Sequence, residues 1–280
     1  MRESVEVFKK HLAEIQEIST MPHVMTRIME IITDERSSAS DLAEEISKDR
    51  SLTAKILKIV NSAYYGFYRE IDKVSDAVVV LGFNEIRRLS LAISVLDIFR
   101  GTSEGYRLMS WNHAFICAAM CDILAQKQGL QDSGAFTAGL LHDIGKSVLD
   151  QYFSDMFTKI QTCMYERSLK AHEAENLLYD FDHADIGYWL SERWNLPVGL
   201  SEAIHYHHRP EAAEETPELT YLLYRGNELA NEFMNIKARG LSMMDITAGK
   251  DDECASDENR ELLLELEERI TDSTIIDILR

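Results

Sequence analysis

The stretch Ala138-Gly-Leu-Leu-His-Asp-Ile-Gly-Lys146 puts an imidazole, a carboxylate and an ammonium inside an apolar helical run. His142 and Asp143 are adjacent, and Lys146 follows one turn later. A buried helix does not carry adjacent ionisable groups unless something repays their desolvation. A divalent cation does so, because a neutral imidazole nitrogen and a carboxylate oxygen both ligate borderline metals. A partner side chain or a hydrogen-bond network does so too. For Lys146 the plain alternative is an ion pair with Asp143, three residues earlier.

The nine histidines are unevenly spread. His11 and His23 lie near the N-terminus and His172 lies in a charged run; all three read as solvated or structural. His113, His142, His183, His205, His207 and His208 fall at helical positions in the second half. Singly, each is an ordinary hydrogen-bonded histidine. Together with Asp143 they suffice for a mononuclear or binuclear metal site on facing helices, the way helical bundles build such centres. His205 and His208, three apart, share a helix face, and His207 points elsewhere. Cys117 and Cys121 lie one turn apart without a second pair and read as core thiols.

The elements that must position these residues read as helices throughout. Phe8, Leu12, Ile15 and Ile18 form an opening apolar stripe, and Met21-Pro22 starts a second helix bearing Met25, Ile28, Met29 and Ile32. Ser38 with Asp41 has the form of a capping box, and Ser51 stands where it would cap the helix of Leu52, Ile56, Ile59 and Val60. Tyr64-Tyr-Gly-Phe-Tyr68 reads as an aromatic turn packed on the bundle. Val78–Leu81 is β-branched but reads as helix stopped by Gly82, with Asn84 as N-cap of a long helix through Phe99. Arg100-Gly-Thr-Ser-Glu-Gly105 reads as a linker.

Beyond the linker, a helix is expected from Trp111 to Gln128, and Asp132 or Ser133 caps the helix carrying His142 and Asp143. Ser154 caps one running to about Ser168, and Asp182 with Asp185 caps the helix of His183. Another starts at Pro197 and runs to His208, and Thr216-Pro217 opens the last core helix. Residues 251–280 hold eleven acidic and three basic residues, yet carry Leu262, Leu263, Leu266 and Ile270. That is an amphipathic acidic helix, expected to dock on its own domain, with docking on a partner as the alternative. The fold class is all-α, with an N-terminal helical subdomain over 1–100, a second over 106–240 and an acidic helical tail over 241–280.

Composition narrows the function classes. The chain has 280 residues, 45% hydrophobic and 28% charged, with few helix breakers: four prolines and thirteen glycines. A formal charge of −19 disfavours binding to a nucleic-acid backbone, which needs basic clusters. Four scattered cysteines do not make a disulfide framework. Met1-Arg-Glu-Ser-Val-Glu-Val is no signal peptide, and no window approaches the roughly 18 apolar residues of a membrane span. The expectation is a cytoplasmic protein that engages neither membrane nor nucleic acid.

The motif order resembles the HD superfamily of metal-dependent phosphohydrolases: His113, then Gly139 to Lys146, then Asp182-His183, then His205-Tyr-His-His208. Residues 10–235 are more closely similar to the HDOD domain, which pairs an N-terminal helical region with an HD-like helical subdomain. Met21-Pro22, Ile46-Ser-Lys-Asp49, Asn61-Ser-Ala-Tyr-Tyr-Gly66, Ala77 to Gly82 and Gly187-Tyr-Trp-Leu-Ser-Glu-Arg-Trp-Asn-Leu-Pro197 carry that similarity. The resemblance implies that His113, His142 and Asp143 bind metal together with an aspartate from a later helix. In the matching stretch, Gly226-Asn-Glu-Leu-Ala230, Asn227 stands in that place. Asparagine offers a carbonyl oxygen but no charge, so cation affinity and the acidification of a bound water both fall.

Similarity to the HD-GYP phosphodiesterases implies a second metal on His183 with His207 or His208, and a phosphate contact by Lys146. Their glycine-tyrosine-proline signature is absent. The cation implied is Fe, Mn or Mg, with the metal-free state expected. HDOD similarity implies a regulatory module with a degenerate HD site, acting on a protein partner in signalling or on a small nucleotide ligand, with homo-oligomerisation open. The alternative is a metal-dependent phosphohydrolase acting on nucleotides or cyclic dinucleotides. A non-enzymatic metal or haem binder is the third reading.

Overall fold

The computed structural model describes residues 5–15, 18, 23–33, 36–61, 67–98, 104–130, 134–247 and 257–271. Every regular element among them is helical. The helices in chain order are α1 (Val5–Glu14), α2 (His23–Thr33), α3 (Ala39–Lys48), α4 (Arg50–Val60), α5 (Val74–Leu81) and α6 (Phe83–Ile98). There follow α7 (Glu104–Lys127), α8 (Ala135–Leu141), α9 (Ile144–Tyr152), α10 (Ser154–Arg167) and α11 (Ala171–Tyr179). The last are α12 (His183–Arg193), α13 (Val198–Tyr206), α14 (Pro217–Ala238), α15 (Met243–Thr247) and α16 (Asp257–Thr271), with a single 3-10 turn at Pro210–Ala212.

The chain forms two compact units. One is Met21–Arg100 with Glu268–Arg280, and the other is Met1–Thr20 with Gly101–Glu267. The first twenty residues therefore group with the second half of the chain, although the sequence pattern places them with the helices they precede.

In the first unit α2 packs on α6 and α3, and α5 packs on α3 and α6. Met25, Ile28, Leu42, Ile46, Ile56, Ile59 and Ile86 are fully buried there. Helical spacing of these residues makes each helix one-sided, which is what drives the bundle together. Ser38 and Asp41 form the capping box expected of them. The next helix is capped by Asp49 instead of Ser51: its carboxylate accepts from the N–H groups of Ser51 and Leu52. Asn84 likewise lies inside α6 and not at its cap, because Gly82, at φ 89°, ends α5 and the chain re-enters helix at once. Asn61, at the end of α4, accepts from Ile71 N–H at 2.7 Å and donates to its carbonyl at 2.9 Å. Met21-Pro22, Tyr64 to Gly66, Phe99, the start of the linker, and Asp132 and Ser133 lie outside the described residues.

In the second unit α7 is the central helix, packed on α8 and α14, while α12 packs on α9 and α13. It starts at Glu104, well before Trp111, and takes in Gly105. Leu108–Lys127 is long and apolar enough by composition to cross a bilayer, contrary to the sequence reading, but 67% of that window is buried inside the unit. The helix is apolar on most sides because it has neighbours on most sides. Phe8 of α1 stacks on Phe153 and Phe181 at centroid distances of 4.5 and 4.6 Å, which anchors the N-terminal residues to this unit. On α16, Leu262, Leu263 and Leu266 are buried. Its acidic face pairs with this same unit: Glu265 lies 3.2 Å from Lys127 and Glu267 pairs with Lys237.

Candidate metal centre

The pair His142-Asp143 does not sit within one helix. Helix α8 ends at Leu141 and α9 begins at Ile144, so both residues occupy a tight junction with Asp143 at φ −97°, ψ 12°. Two glycines make that junction possible. A Cβ on Gly139 would lie 2.6 Å from Ala118 Cα, so its absence lets α8 press against α7. A Cβ on Gly145 would lie 2.1 Å from the His183 carbonyl oxygen, so its absence brings α9 onto the first residue of α12. The first approach carries Asp143 toward His113 on α7, and the second carries it toward His183 on α12.

Asp143 is the hub. Its Oδ1 lies 3.2 Å from His183 Nε2 and 3.9 Å from His207 Nε2. Its Oδ2 lies 2.7 Å from Lys146 Nζ, 3.4 Å from His142 Nε2 and 3.6 Å from His113 Nε2. His208 Nε2 is 2.9 Å from His183 Nε2. Among the described residues two clusters able to hold a divalent cation result: His113, His142 and Asp143, and beside them His183, His207 and His208. His113, Lys146, His183, His207, His208 and Asn227 all line one cavity of about 500 Å³. Of the residues singled out by sequence, His205 alone stands apart: it binds Asp185 Oδ1 at 3.0 Å and stacks on Tyr188. The expectation that it shares a face with His208 is corrected here. Helix α13 stops at Tyr206, so His207 and His208 lie in a turn where three-residue spacing no longer sets direction.

The imidazoles are oriented from behind. His142 Nδ1 donates to Gly139 O at 2.8 Å and His207 Nδ1 donates to Ile204 O at 2.7 Å. A carbonyl only accepts, so in a neutral ring the proton stays on Nδ1 and the Nε2 lone pair faces the cluster. His183 Nδ1 donates to Glu175 Oε2 at 2.6 Å, and the same oxygen accepts the His183 backbone N–H at 2.8 Å. His142 Nε2 and His207 Nε2 are buried without a hydrogen-bond partner, and Asp143 Oδ1 faces them with the His183 ring 3.2 Å away. Unpaired buried acceptors are costly, and two of them converging beside a buried carboxylate is what a cation would satisfy. Donors ligating one transition-metal ion at about 2.1 Å stand about 3–4 Å apart, the spacing found here. The residues present fit a divalent cation.

The electrostatics agree. Burial raises the Asp143 carboxyl, but His142, Lys146 and the hydrogen bonds around it outweigh burial and hold it well below the usual carboxylate range. Burial lowers His183, and Glu175 overcomes this to lift it to about 9. His183 in turn holds buried Glu175 below its ordinary value. Burial pushes His113 down to about 4, and it pushes His207 and His208 down as well. One proton between His183 and His208 fits their 2.9 Å contact. Asn227 hydrogen-bonds His113, and its Oδ1 also accepts from Asn231 Nδ2 at 3.1 Å.

Several residues of the centre escape a motif reading. Glu175 is buried on α11 beside Ala174, and an acid on the apolar face of an amphipathic helix was the available signal. His172 lies on the cavity wall, stacked 4.0 Å from His208, instead of in solvated surface. Lys170, Ala171, Tyr224, Glu228, Asn231 and Asn235 complete the wall. The two asparagines follow Asn227 at four-residue steps on α14, a spacing that puts all three on one face.

Comparison with known proteins then assigns the family. The profile described as HDOD domain matches residues 18–210. An uncharacterized protein of Treponema pallidum (strain Nichols) is 30% identical over 204 residues, covering 72% of this chain and 40% of that protein. The chain thus spans less than half the length of that curated relative. Among solved structures, an HDOD domain protein with unknown function from Geobacter sulfurreducens superposes with a TM-score of 0.77 at 22% identity, covering 99% of each chain. The "Putative phosphohydrolase" from Shewanella amazonensis SB2B superposes with a TM-score of 0.74 at 24% identity, covering 96% of this chain and 98% of that one. At these identities the structures share the fold. The matched profile covers most of the chain, together with the two helical units and the His-Asp junction between α8 and α9: this protein belongs to the HDOD family.

Proposed function

We propose that this chain is a regulatory HDOD module whose His/Asp centre binds a divalent cation or a small ligand, and passes its occupancy to a protein partner without turning over a substrate. One observation carries this reading. Asp143 is the only carboxylate in the two clusters, and Lys146 neutralises it at 2.7 Å. Where a second carboxylate would complete the charge, Asn227 stands with its carbonyl oxygen bound to Asn231. A cation-dependent hydrolase needs a centre that concentrates positive charge on the reacting phosphate, and that charge is held by anionic ligands. Five imidazoles and one carboxylate already paired with a lysine favour binding over turnover.

The competing reading, a metal-dependent phosphohydrolase for nucleotides or cyclic dinucleotides, draws support from the cavity. Lys146 and Lys170 both line it together with the histidines, a composition suited to a phosphate ester. A bound divalent cation would supply Lewis acidity there, and Lys146 would contact the phosphate. Loading the purified protein with Mn²⁺ or Fe²⁺, then assaying bis(p-nitrophenyl) phosphate and cyclic dinucleotides, separates the two. The regulatory reading expects rates equal to those of His142→Ala. Turnover lost in that variant sinks it.

A further inference from the structure

Helix α1 is held to the second unit by side chains and not by a packed helix face. Among the described residues it lies along no other helix as closely as α7 lies on α8 or α12 on α9. Only Phe8 and Leu12 of its ten residues are buried. A helix this short does not hold together alone in water, so docking and helix formation go together. Phe8 enters a slot between Phe153 and Phe181, at ring-centre distances of 4.5 and 4.6 Å, with Trp189 at 6.0 Å. Lys9 Nζ lies 4.6 Å over the Trp189 ring, a cation–π contact. At the other end Arg193 Nη2 donates to Ala13 O at 2.9 Å, and Trp194 Nε1 donates to Ile18 O at 3.1 Å.

The walls of this slot belong to the elements that build the His/Asp centre. Phe153 ends α9, the helix of Lys146. Phe181 lies between α11, which carries Glu175, and α12, which starts at His183. Trp189 is on α12 and meets Phe181 at 5.6 Å. Across the same junction Glu175 Oε2 accepts the His183 Nδ1–H and backbone N–H, and Gly145 seats α9 on the His183 carbonyl. Phe8 is wholly buried, so emptying the slot leaves a void where three elements meet. Close-packed walls respond to such a void by shifting. Phe153, Phe181 and Trp189 are not part of the cavity wall over the histidines, so slot and cavity are separate places that share one junction.

We propose that α1 is a detachable strap, and that its docking and the occupancy of the His/Asp centre favour one another. Docked, Phe8 holds α9, α11 and α12 in the arrangement that seats Glu175 on His183. An ion or ligand on His183 holds the same arrangement from the cavity and keeps the strap down. This rests on the reading that the centre binds and passes its occupancy on, and it names the segment that responds. By linkage, docking strengthens binding by the same factor as binding strengthens docking.

Hydrogen exchange read by mass spectrometry on the full chain, with Co²⁺ as the probe and a thermal melt of each variant, tests the strap. In metal-free wild type α1 is expected to exchange faster than α7. Saturating Co²⁺ is expected to slow α1 by about 5-fold or more, and Phe8→Ala to weaken Co²⁺ binding by a like factor. Lys9→Glu, at an exposed position that leaves the slot walls intact, is expected to act in the same direction and less strongly. In both variants the peptide over 181–187, which contains the His183 N–H held by Glu175, should exchange faster while α7 stays unchanged. Co²⁺ that binds folded wild type and leaves α1 exchange unaltered overturns the strap and leaves the cation-binding reading intact. Unaltered exchange over 181–187 in folded Phe8→Ala overturns it as well, with or without metal. Folded wild type that retains no Co²⁺, with 181–187 still loosened in both variants, counts against the cation-binding reading and supports the hold of the strap on His183.

Discussion

Asp143 and His183 are both buried, and each is ionised through its neighbours: Lys146 and His142 act on the first, Glu175 on the second. Glu175 takes two N–H donors on one oxygen, so a glutamine keeps both hydrogen bonds and loses only the charge. Glu175→Gln is therefore expected to melt near wild type while weakening Co²⁺ binding by about 10–100-fold. Glu175→Ala leaves a buried imidazole unpaired and should cost about 3 kcal/mol in a denaturant titration. Equal Co²⁺ affinity in wild type and Glu175→Gln would contradict the role given to that carboxylate. At this scale the sequence is legible where ionisable residues interrupt an apolar run, as His142-Asp143 do. It marks Glu175 as an acid on an apolar face but not its partner, because the contact joins α11 to α12 across Asp180–Asp182, which spacing does not encode.

Helix junctions decide which residues meet. Gly145 lets α9 lie on the His183 carbonyl, and no side chain fits there. Gly145→Ala should destabilise the protein by about 2–3 kcal/mol and weaken metal binding, checked by melting and Co²⁺ titration together. Glu202 on α13 fixes the next junction: its carboxylate accepts from the backbone N–H groups of Glu214, Glu215 and Thr216, and from the Thr216 hydroxyl. Burial raises this carboxyl, and the backbone donors outweigh it, so its folded value lies below the ordinary one. A depressed carboxylate adds stability that is fully present above its unfolded pKa and lost as pH falls through the folded value. Glu202→Gln should therefore flatten part of the fall in melting temperature below pH 4.5, and an unchanged acid limb would refute the point. Helices themselves follow from periodicity and caps, as Ser38–Asp41 and Asp182–Asp185 show. Breaks follow less well: the α8–α9 junction falls at His142-Asp143, with neither glycine nor proline at the break itself, and α13 stops two residues short of His208.

Across the whole molecule the all-helical class is readable from few breakers and helical spacing, and the grouping of residues 1–20 is not. Phe8 finds aromatic partners at Phe153 and Phe181, more than 140 residues away in sequence, and local pattern carries no record of that. The acidic tail is legible in part, since its leucines mark one face and its glutamates find Lys127 and Lys237. Leu263 is fully buried, so Leu263→Ala should cost about 3 kcal/mol in a denaturant titration, and a cost below about 0.5 kcal/mol would mean the helix contributes no core. The central claim, a centre that binds without turning over, rests on Asn227 standing where a carboxylate would add charge. The most direct measurement is hydrolysis of bis(p-nitrophenyl) phosphate by excess Co²⁺- or Mn²⁺-loaded protein, with wild type, Asn227→Asp and His142→Ala side by side. Wild type should match His142→Ala, with any gain confined to Asn227→Asp. Wild-type turnover that His142→Ala abolishes would contradict the claim.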